Sequence, residues 1–405
     1  MKKLILFFLI LLLYNQSLIC GSVLSSRGLG MDFEHPNTRA QGMGYFAIAN
    51  IDPYTISKIN PASLFIHKAT HISASYFNEN NFYEDQLHGD AFSQYSNFDG
   101  FNIVIPLHKN FGISSGLTPL TRIDYKISFD NSIDLFEYTK SIYGSGGLNS
   151  FDLSCYWSYK NRFSIGITGR YIFGNINKTW RVNYDNTTFV QTKYSFSTKN
   201  DGFNYKLGII VQPLSSITIG AVYSPTVRIN NNTSQDMAIK LKDEATTTTL
   251  KTHKGSISYP GSYGVGVSYK IKKIGLFGID YSLSEWESLL INDQKPTYVN
   301  NINKFSFGFE SISSNNPNTS YLKQIRYRTG LCHMSSLSLD PEGNEILESW
   351  ISLGLGLPLK GRIAEINLAV NYGKRGSLQK NGLSENLLRV SLSLSIGEKW
   401  FQREY

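Results

Sequence analysis

Residues 148–174 read LNSFDLSCYWSYKNRFSIGITGRYIFG. The odd positions are Phe151, Leu153, Cys155, Trp157 and Tyr159, set against Ser150, Asp152, Ser154, Tyr156 and Ser158. After Lys160-Asn161 the alternation resumes, with Phe163, Ile165, Ile167 and Tyr171 against Ser164, Gly166, Thr168 and Arg170. A period of two is the signature of a strand, because successive side chains point to opposite faces. Two such runs joined by two polar residues read as a hairpin. One face is apolar and aromatic. The other is small, polar and sparsely charged.

The same grammar recurs to the end of the chain. Residues 255–271 set Ile257, Tyr263, Val265, Val267 and Tyr269 against Ser256, Ser262, Gly264, Gly266 and Ser268. The last run, 385–397, sets Leu388, Val390, Leu392, Leu394 and Ile396 against Arg389, Ser391, Ser393 and Ser395. A soluble sandwich also alternates. Here the polar face carries isolated charges (Asp152, Arg170, Lys206, Asp280, Arg326, Arg328), as a wet lumen would, and aromatics gather near the ends of the apolar sets. Both traits fit a transmembrane β-barrel.

Composition agrees: 13% of the 405 residues are aromatic, only 17% are charged, and 34 are glycine. The net charge of +8 is scattered without a basic stripe, so no nucleic-acid partner is expected. Lys2-Lys3 followed by the apolar run 4–13 reads as a secretory signal at 1–20, too short to span a bilayer. An exported chain without a helical anchor enters a membrane only as a closed barrel.

Fourteen alternating runs lie between 69 and 397, an even number as a bacterial single-chain barrel requires. The expected fold is therefore an all-β, 14-stranded antiparallel barrel in the outer membrane of a Gram-negative-type bacterium. Short turns at 107–110, 159–162 and 271–274 alternate with long polar links at 78–97, 129–147, 177–199 and 230–254. Short turns belong on the periplasmic side and long loops outside. The division is 1–20 signal peptide, 21–68 N-terminal hatch, 69–397 barrel and 398–405 tail.

Residues 25–64 stand apart. They lack alternation and carry Gly28, Gly30, Gly42, Gly44, Pro36, Pro53 and Pro61. Such a segment suits a confined space, with glycines supplying positive φ and close backbone packing. Pro61 holds Asn60 extended, and the Asn60 amide can satisfy backbone groups hidden from water. We expect this segment to fill the lumen.

No chemistry is legible beyond that. The seven histidines lack metal-ligand spacing, and no nucleophile motif occurs. No cofactor, metal or enzymatic activity is expected.

The stretch Arg39-Ala40-Gln41-Gly42-Met43-Gly44, then Asp52-Pro53, then Asn60-Pro61-Ala62, resembles the hatch of the FadL-type outer-membrane transporters of long-chain fatty acids and other hydrophobic compounds. The resemblance implies fourteen strands, a plug with an Asn-Pro-Ala signature, and lateral release through a break in the third strand. Here that strand, 110–128, contains Gly112, Gly116 and Pro119. Pro119 cannot donate to a ladder, so it marks a bulge or break. On this reading Arg39, Gly42, Gly44, Asp52, Pro53, Asn60, Pro61 and Ala62 are gating residues. Phe82, Tyr83, Phe92, Leu135, Phe136 and Tyr138 would line an external apolar groove. The implied function is passive, hatch-gated uptake of hydrophobic molecules such as fatty acids, the barrel sitting among outer-membrane lipids. The tail after the last strand resembles the endings of FadL-like proteins from some non-proteobacterial lineages, a few of which serve protein secretion. That implies an alternative function, a docking or assembly partner for secreted proteins.

Overall fold

A computed structural model describes residues 22–400 apart from 87–88, 134–135, 185–189, 242–243, 298, 315, 317, 360–363 and 399. The expected signal peptide and most of the tail lie outside the described residues.

The alternating runs form one closed antiparallel barrel. Its ring begins with β2 (Thr70–Asp85), β3 (Gly89–His108) and β4 (Phe111–Pro119). Strand β5 (Thr121–Ile133) and β6 (Phe136–Gly146) rise above the ring, which continues at β7 (Asn149–Tyr159), β8 (Phe163–Tyr184), β9 (Gln191–Leu214) and β10 (Ile217–Ser224). A second raised pair, β11 (Val227–Leu241) and β12 (Glu244–Tyr259), precedes β13 (Ser262–Ile271) and β14 (Gly275–Ser284). After the two-residue β15 (Leu290–Ile291), the ring ends with β16 (Ile302–Ser311), β17 (Arg326–Leu339), β18 (Glu345–Pro358), β19 (Ala364–Ser377) and β20 (Leu383–Glu398).

Strand β4 pairs with β7, β10 with β13, and β14 with β16. Closure comes from β20 on β2, where Thr70 faces Glu398 and Asp85 faces Leu383. Leaving out β1 (Met31–Asp32), β5, β6, β11, β12 and β15, the ring has fourteen strands.

Burial follows the alternation. Along β13, Tyr263, Val265, Val267 and Tyr269 face outward while Gly264, Gly266 and Ser268 are buried. Exposed Ile, Leu, Val and aromatic side chains recur around the whole ring, including Ile113, Leu153, Ile167, Leu207, Val265, Phe307, Leu331, Leu353 and Ile396. In water such a belt would be untenable; against hydrocarbon it is the favourable surface. The Lys160-Asn161 turn has φ of 51° and 53° at its two residues. That is the type I′ geometry whose twist matches two paired strands.

Two expectations need correction. The runs 216–229 and 255–271 are each broken, at Pro225-Thr226 and at Pro260-Gly261. Proline lacks the N–H that an uninterrupted ladder needs. The links 78–97, 129–147, 177–199 and 230–254 are also not loops. They are long hairpins in which β2–β3, β5–β6, β8–β9 and β11–β12 continue beyond the membrane belt.

With two further breaks, at Leu120 between β4 and β5 and at Gly147-Leu148 between β6 and β7, the breaks at Pro225-Thr226 and Pro260-Gly261 let the external halves fold over the mouth. Beneath them lies an apolar cluster containing Ile123, Tyr125, Ile176, Ile229, Ile257 and Trp286, which packs on Leu29 of the N-terminal segment.

Candidate functional site: the hatch and its seat

Residues 22–67 occupy the lumen. The segment enters beside the external end of the barrel, where Ser22 Oγ donates to Glu385 (2.6 Å), and descends to Pro53, exposed at the inner mouth. It contains one α-helical turn, α1 (Thr38–Gln41), capped by the Asn37 side chain, and two 3-10 turns, at Val23–Ser26 capped by Ser22 and at Pro61–Ile66 capped by Asn60. So little regular structure leaves many backbone groups to be satisfied by the wall.

The wall supplies them one by one. Asp280 accepts from the Ala47 and Ile48 amides at 2.5 and 2.7 Å. Ser268 donates to the Ala49 carbonyl, Ser395 to that of Tyr54, and Ser338 to that of Leu24. Asn60 works on two fronts. Its Oδ1 accepts from the Ala62 amide (3.0 Å), and its Nδ2 donates to the carbonyls of Ile48 (2.9 Å) and of Ile209 in the wall (3.3 Å). Asn60→Ala therefore leaves buried carbonyls unpaired and should destabilise the folded barrel by about 1–3 kcal/mol, read from denaturant unfolding in detergent. Asn60→Asp should not rescue it, because a carboxylate cannot donate to those carbonyls.

Interior glycines make the close approach possible. A Cβ at Gly208 would sit 2.2 Å from Asn60 Oδ1, and one at Gly330 would sit 2.3 Å from the Gly44 amide nitrogen. Gly44 itself has φ of 64°, the left-handed region, and its own Cβ would meet the Leu331 backbone at 2.4 Å. Gly42 has ordinary helical φ (−67°); its role is contact with Gly354, where a Cβ would lie 2.9 Å from the facing Cα.

The strongest tie is ionic. Arg39 donates through Nε and Nη2 to Glu310 (both 2.8 Å) and also bonds Asn50. Arg328 bonds Glu310 (2.6 Å) and Glu365 (3.1 Å), and Arg326 bonds Asp52 (2.6 Å) and Glu365. Three guanidiniums thus face three carboxylates, Arg39 and Asp52 from the hatch and four partners from the wall. Burial alone would raise Asp52, yet the adjoining Arg326 and Arg39 hold its carboxyl well below the usual range. Higher up, Glu34 takes Arg170 (2.8 Å) and Lys206 (2.5 Å) from the wall.

Among the described residues, two chambers lie between the hatch and the external hairpins. Charge lines both: Glu79, Arg122, Arg375 and Arg389 in the first, Arg170, Lys206 and Asp280 in the second, and Asp32, Glu34 and Lys304 in each. Burial lifts the Asp32 carboxyl to about 6.

The other sequence-derived positions divide. Gly112 and Gly116 sit in the regular ladder opposite Tyr156 and Asp152, making room for the Tyr156 and Asn102 side chains. Strand β4 ends at Pro119 and β5 begins at Thr121, with the Leu120 amide turned to the Leu148 carbonyl (2.8 Å). The described residues among those expected to line an external groove divide between two hairpins. Phe82 and Phe92 pair on the β2–β3 hairpin, with ring centroids 5.1 Å apart. Tyr83 points the opposite way and is buried on Ser93, because adjacent strand residues face opposite sides. Tyr138 packs on Tyr184 on a different hairpin. Leu135 lies outside the described residues, as does the Phe136 side chain.

Sequence reasoning missed Glu310, Arg326, Arg328, Glu365 and Asp280 as parts of the seat. Their signal was charge on the lumen face of a strand, where an unpaired ion is costly.

A family model described as BamG matches residues 1–405. The chain belongs to the BamG family. Among curated proteins none matches it. Its fold is that of the FadL-type transporters. A Pseudomonas aeruginosa FadL homologue superposes with a TM-score of 0.61 at 11% identity, covering 91% of this chain and 99% of that one. The toluene transporter TodX of Pseudomonas putida gives 0.59 at 12% identity, covering 91% and 100%. The monoaromatic hydrocarbon channel CymD gives 0.59 at 13% identity, covering 92% and 99%. The resemblance carried by residues 39–62 thus extends to architecture, while the family is BamG.

Proposed function

We propose that this BamG-family barrel works as a membrane-embedded docking or assembly partner for other exported proteins, with the hatch as a permanent seal. The observation that carries the reading is the ionic seat of Arg39 and Asp52. Moving the hatch would break the buried Arg39–Glu310 and Arg326–Asp52 bonds together, a loss of several kcal/mol in a low-dielectric interior. The space beside it carries charged side chains next to Phe33, Met334, Leu337 and Trp350, and a hydrophobic solute would have to desolvate those charges. The external mouth is filled by apolar side chains. What is left for function is the outside, where long hairpins stand above the belt.

A second reading is uptake of hydrophobic molecules such as long-chain fatty acids, with lateral release near the β4–β5 break. It is favoured by the FadL-type fold and by that break. Its difficulty is position. Outward residues of β5 and β6 (Lys126, Ser128, Asp130, Glu137) are polar, so the break lies at the outer edge of the lipid belt.

The two readings separate in reconstituted vesicles. We expect oleate and toluene to enter vesicles holding the purified protein no faster than protein-free vesicles. We also expect discrete protein cross-links to the external hairpins in intact cells. Accelerated entry of either solute, without cross-links, would establish uptake instead.

A further inference from the structure

A slot opens in the external wall between β3 and β5. Below it, β3 and β4 pair from Phe101 with Leu117 to His108 with Phe111. Above it, the only strand among the described residues that pairs with Gly89–Gly100 of β3 is β2, and β5 pairs on its far side with β6. Two strand edges therefore face each other across the slot. Its floor is closed by Phe33 and Tyr95, in edge-to-face contact at 6.3 Å, with the Arg122 guanidinium over both rings.

The lower end of the β5 edge is already occupied by added chain. Met31 and Asp32 pair antiparallel with Arg122 and Thr121. Next, Ser25 Oγ donates to the Asp124 carbonyl (3.0 Å) and accepts from the Asp124 amide (3.1 Å), so one hydroxyl serves both groups that a neighbouring strand would bind. Asp124 thus turns its backbone to the slot, and by the two-residue period so do Ser128 and Asp130. Beyond Asp124, no strand among the described residues pairs with this side of β5. Natural edges are guarded by proline, bulges, very short length, charged side chains or a covering segment, and here the guards are the charges of Asp124, Lys126 and Asp130. Residues 123–133 contain no proline and pair with β6 without a break in register.

The geometry points to strand addition: an extended segment of a partner protein enters the slot antiparallel to β5, continuing the line that Met31–Asp32 begins. Alternation on β5 specifies its side chains. The inward face must be apolar to lie beside Ile123, Tyr125 and Ile127, and the outward face polar to lie beside Ser128 and Asp130. Main-chain bonds give affinity and the alternating side chains give selectivity. The inference rests on the docking reading and narrows it to one edge.

Amide hydrogen exchange tests it. The Ser128 and Asp130 amides should exchange about tenfold or more slowly in native outer-membrane fragments than in the purified protein returned to vesicles of the same lipids. Equal rates there, with slowing at another external hairpin, would overturn the slot while leaving docking intact. Equal rates throughout would overturn both. Slowing in the purified protein that grows with its concentration would make the occupant a second copy, and slowing independent of concentration would make it lipid. Either result overturns the inference.

Discussion

Replacing Arg39 by alanine should destabilise the barrel by about 3 kcal/mol or more, the range for removing one partner of a buried ion pair. Arg39 is 3% exposed and holds Glu310 with two parallel bonds while lying 3.8 Å from Asp52. With it gone, the cluster keeps Arg326 and Arg328 against Asp52, Glu310 and Glu365, one uncompensated negative charge out of reach of water. The sharper expectation concerns the double variant. Arg39→Ala with Asp52→Ala removes one charge of each sign and leaves two guanidiniums facing two carboxylates on the wall. The double variant should therefore lose less than the sum of the singles, by roughly 1–3 kcal/mol of coupling. Unfolding midpoints in detergent give all four corners of the cycle. Strict additivity would mean that the cluster does not act as a unit and that the hatch is held mainly elsewhere.

The membrane-crossing part of this fold was legible because its physics imposes a period. Val265, Val267 and Tyr269 meet lipid while Gly266 and Ser268 meet the hatch, and nothing but a strand reconciles that alternation. The external hairpins were not legible for the converse reason. Stretches such as 230–254, rich in Asn and Thr, stand in water on at least one face and alternate little in polarity. Their ladder is set by the neighbouring strands, so they read as loops.

The hatch was legible as a filler and not as a mechanism. Asn60, Pro61 and the close-packed glycines announce confinement. Whether a confined segment moves depends on partners far away in sequence. Arg39 and Glu310 are 271 residues apart, and nothing local to residue 39 tells which wall charge it meets. Glu310, Arg326, Arg328 and Glu365 stood on the lumen face of the runs, but register across the four strands β16–β19 decides which of them converge. Tyr83 falls out of the expected external groove for a local reason: Phe82 and Tyr83 were grouped by composition, and adjacent residues on a strand cannot line one surface.

Gly330→Leu should unseat the hatch. The missing side chain is what allows Met43 and Gly44 to lie on the wall, since a Cβ here would be 2.3 Å from both the Gly44 nitrogen and the Met43 carbonyl carbon. Those atoms are backbone, so no rotamer change can relieve the clash. Gly44 cannot turn aside either, because its left-handed φ and its fit against Leu331 leave no slack. Strand β17 is pinned on both sides, with Gly330 opposite Gly308 and Ser352. The hatch must yield. Across planar bilayers the wild-type protein is expected to be silent, while Gly330→Leu should pass ions through the vacated lumen. The neighbouring Leu331→Ala supplies the control. Leu331 is 54% exposed on the lipid face, so this change alters the same strand without touching the hatch, and it should stay silent. Conductance in Leu331→Ala as well would trace the leak to a weakened wall. Silence in a folded Gly330→Leu barrel would mean that the hatch can be displaced without opening a path.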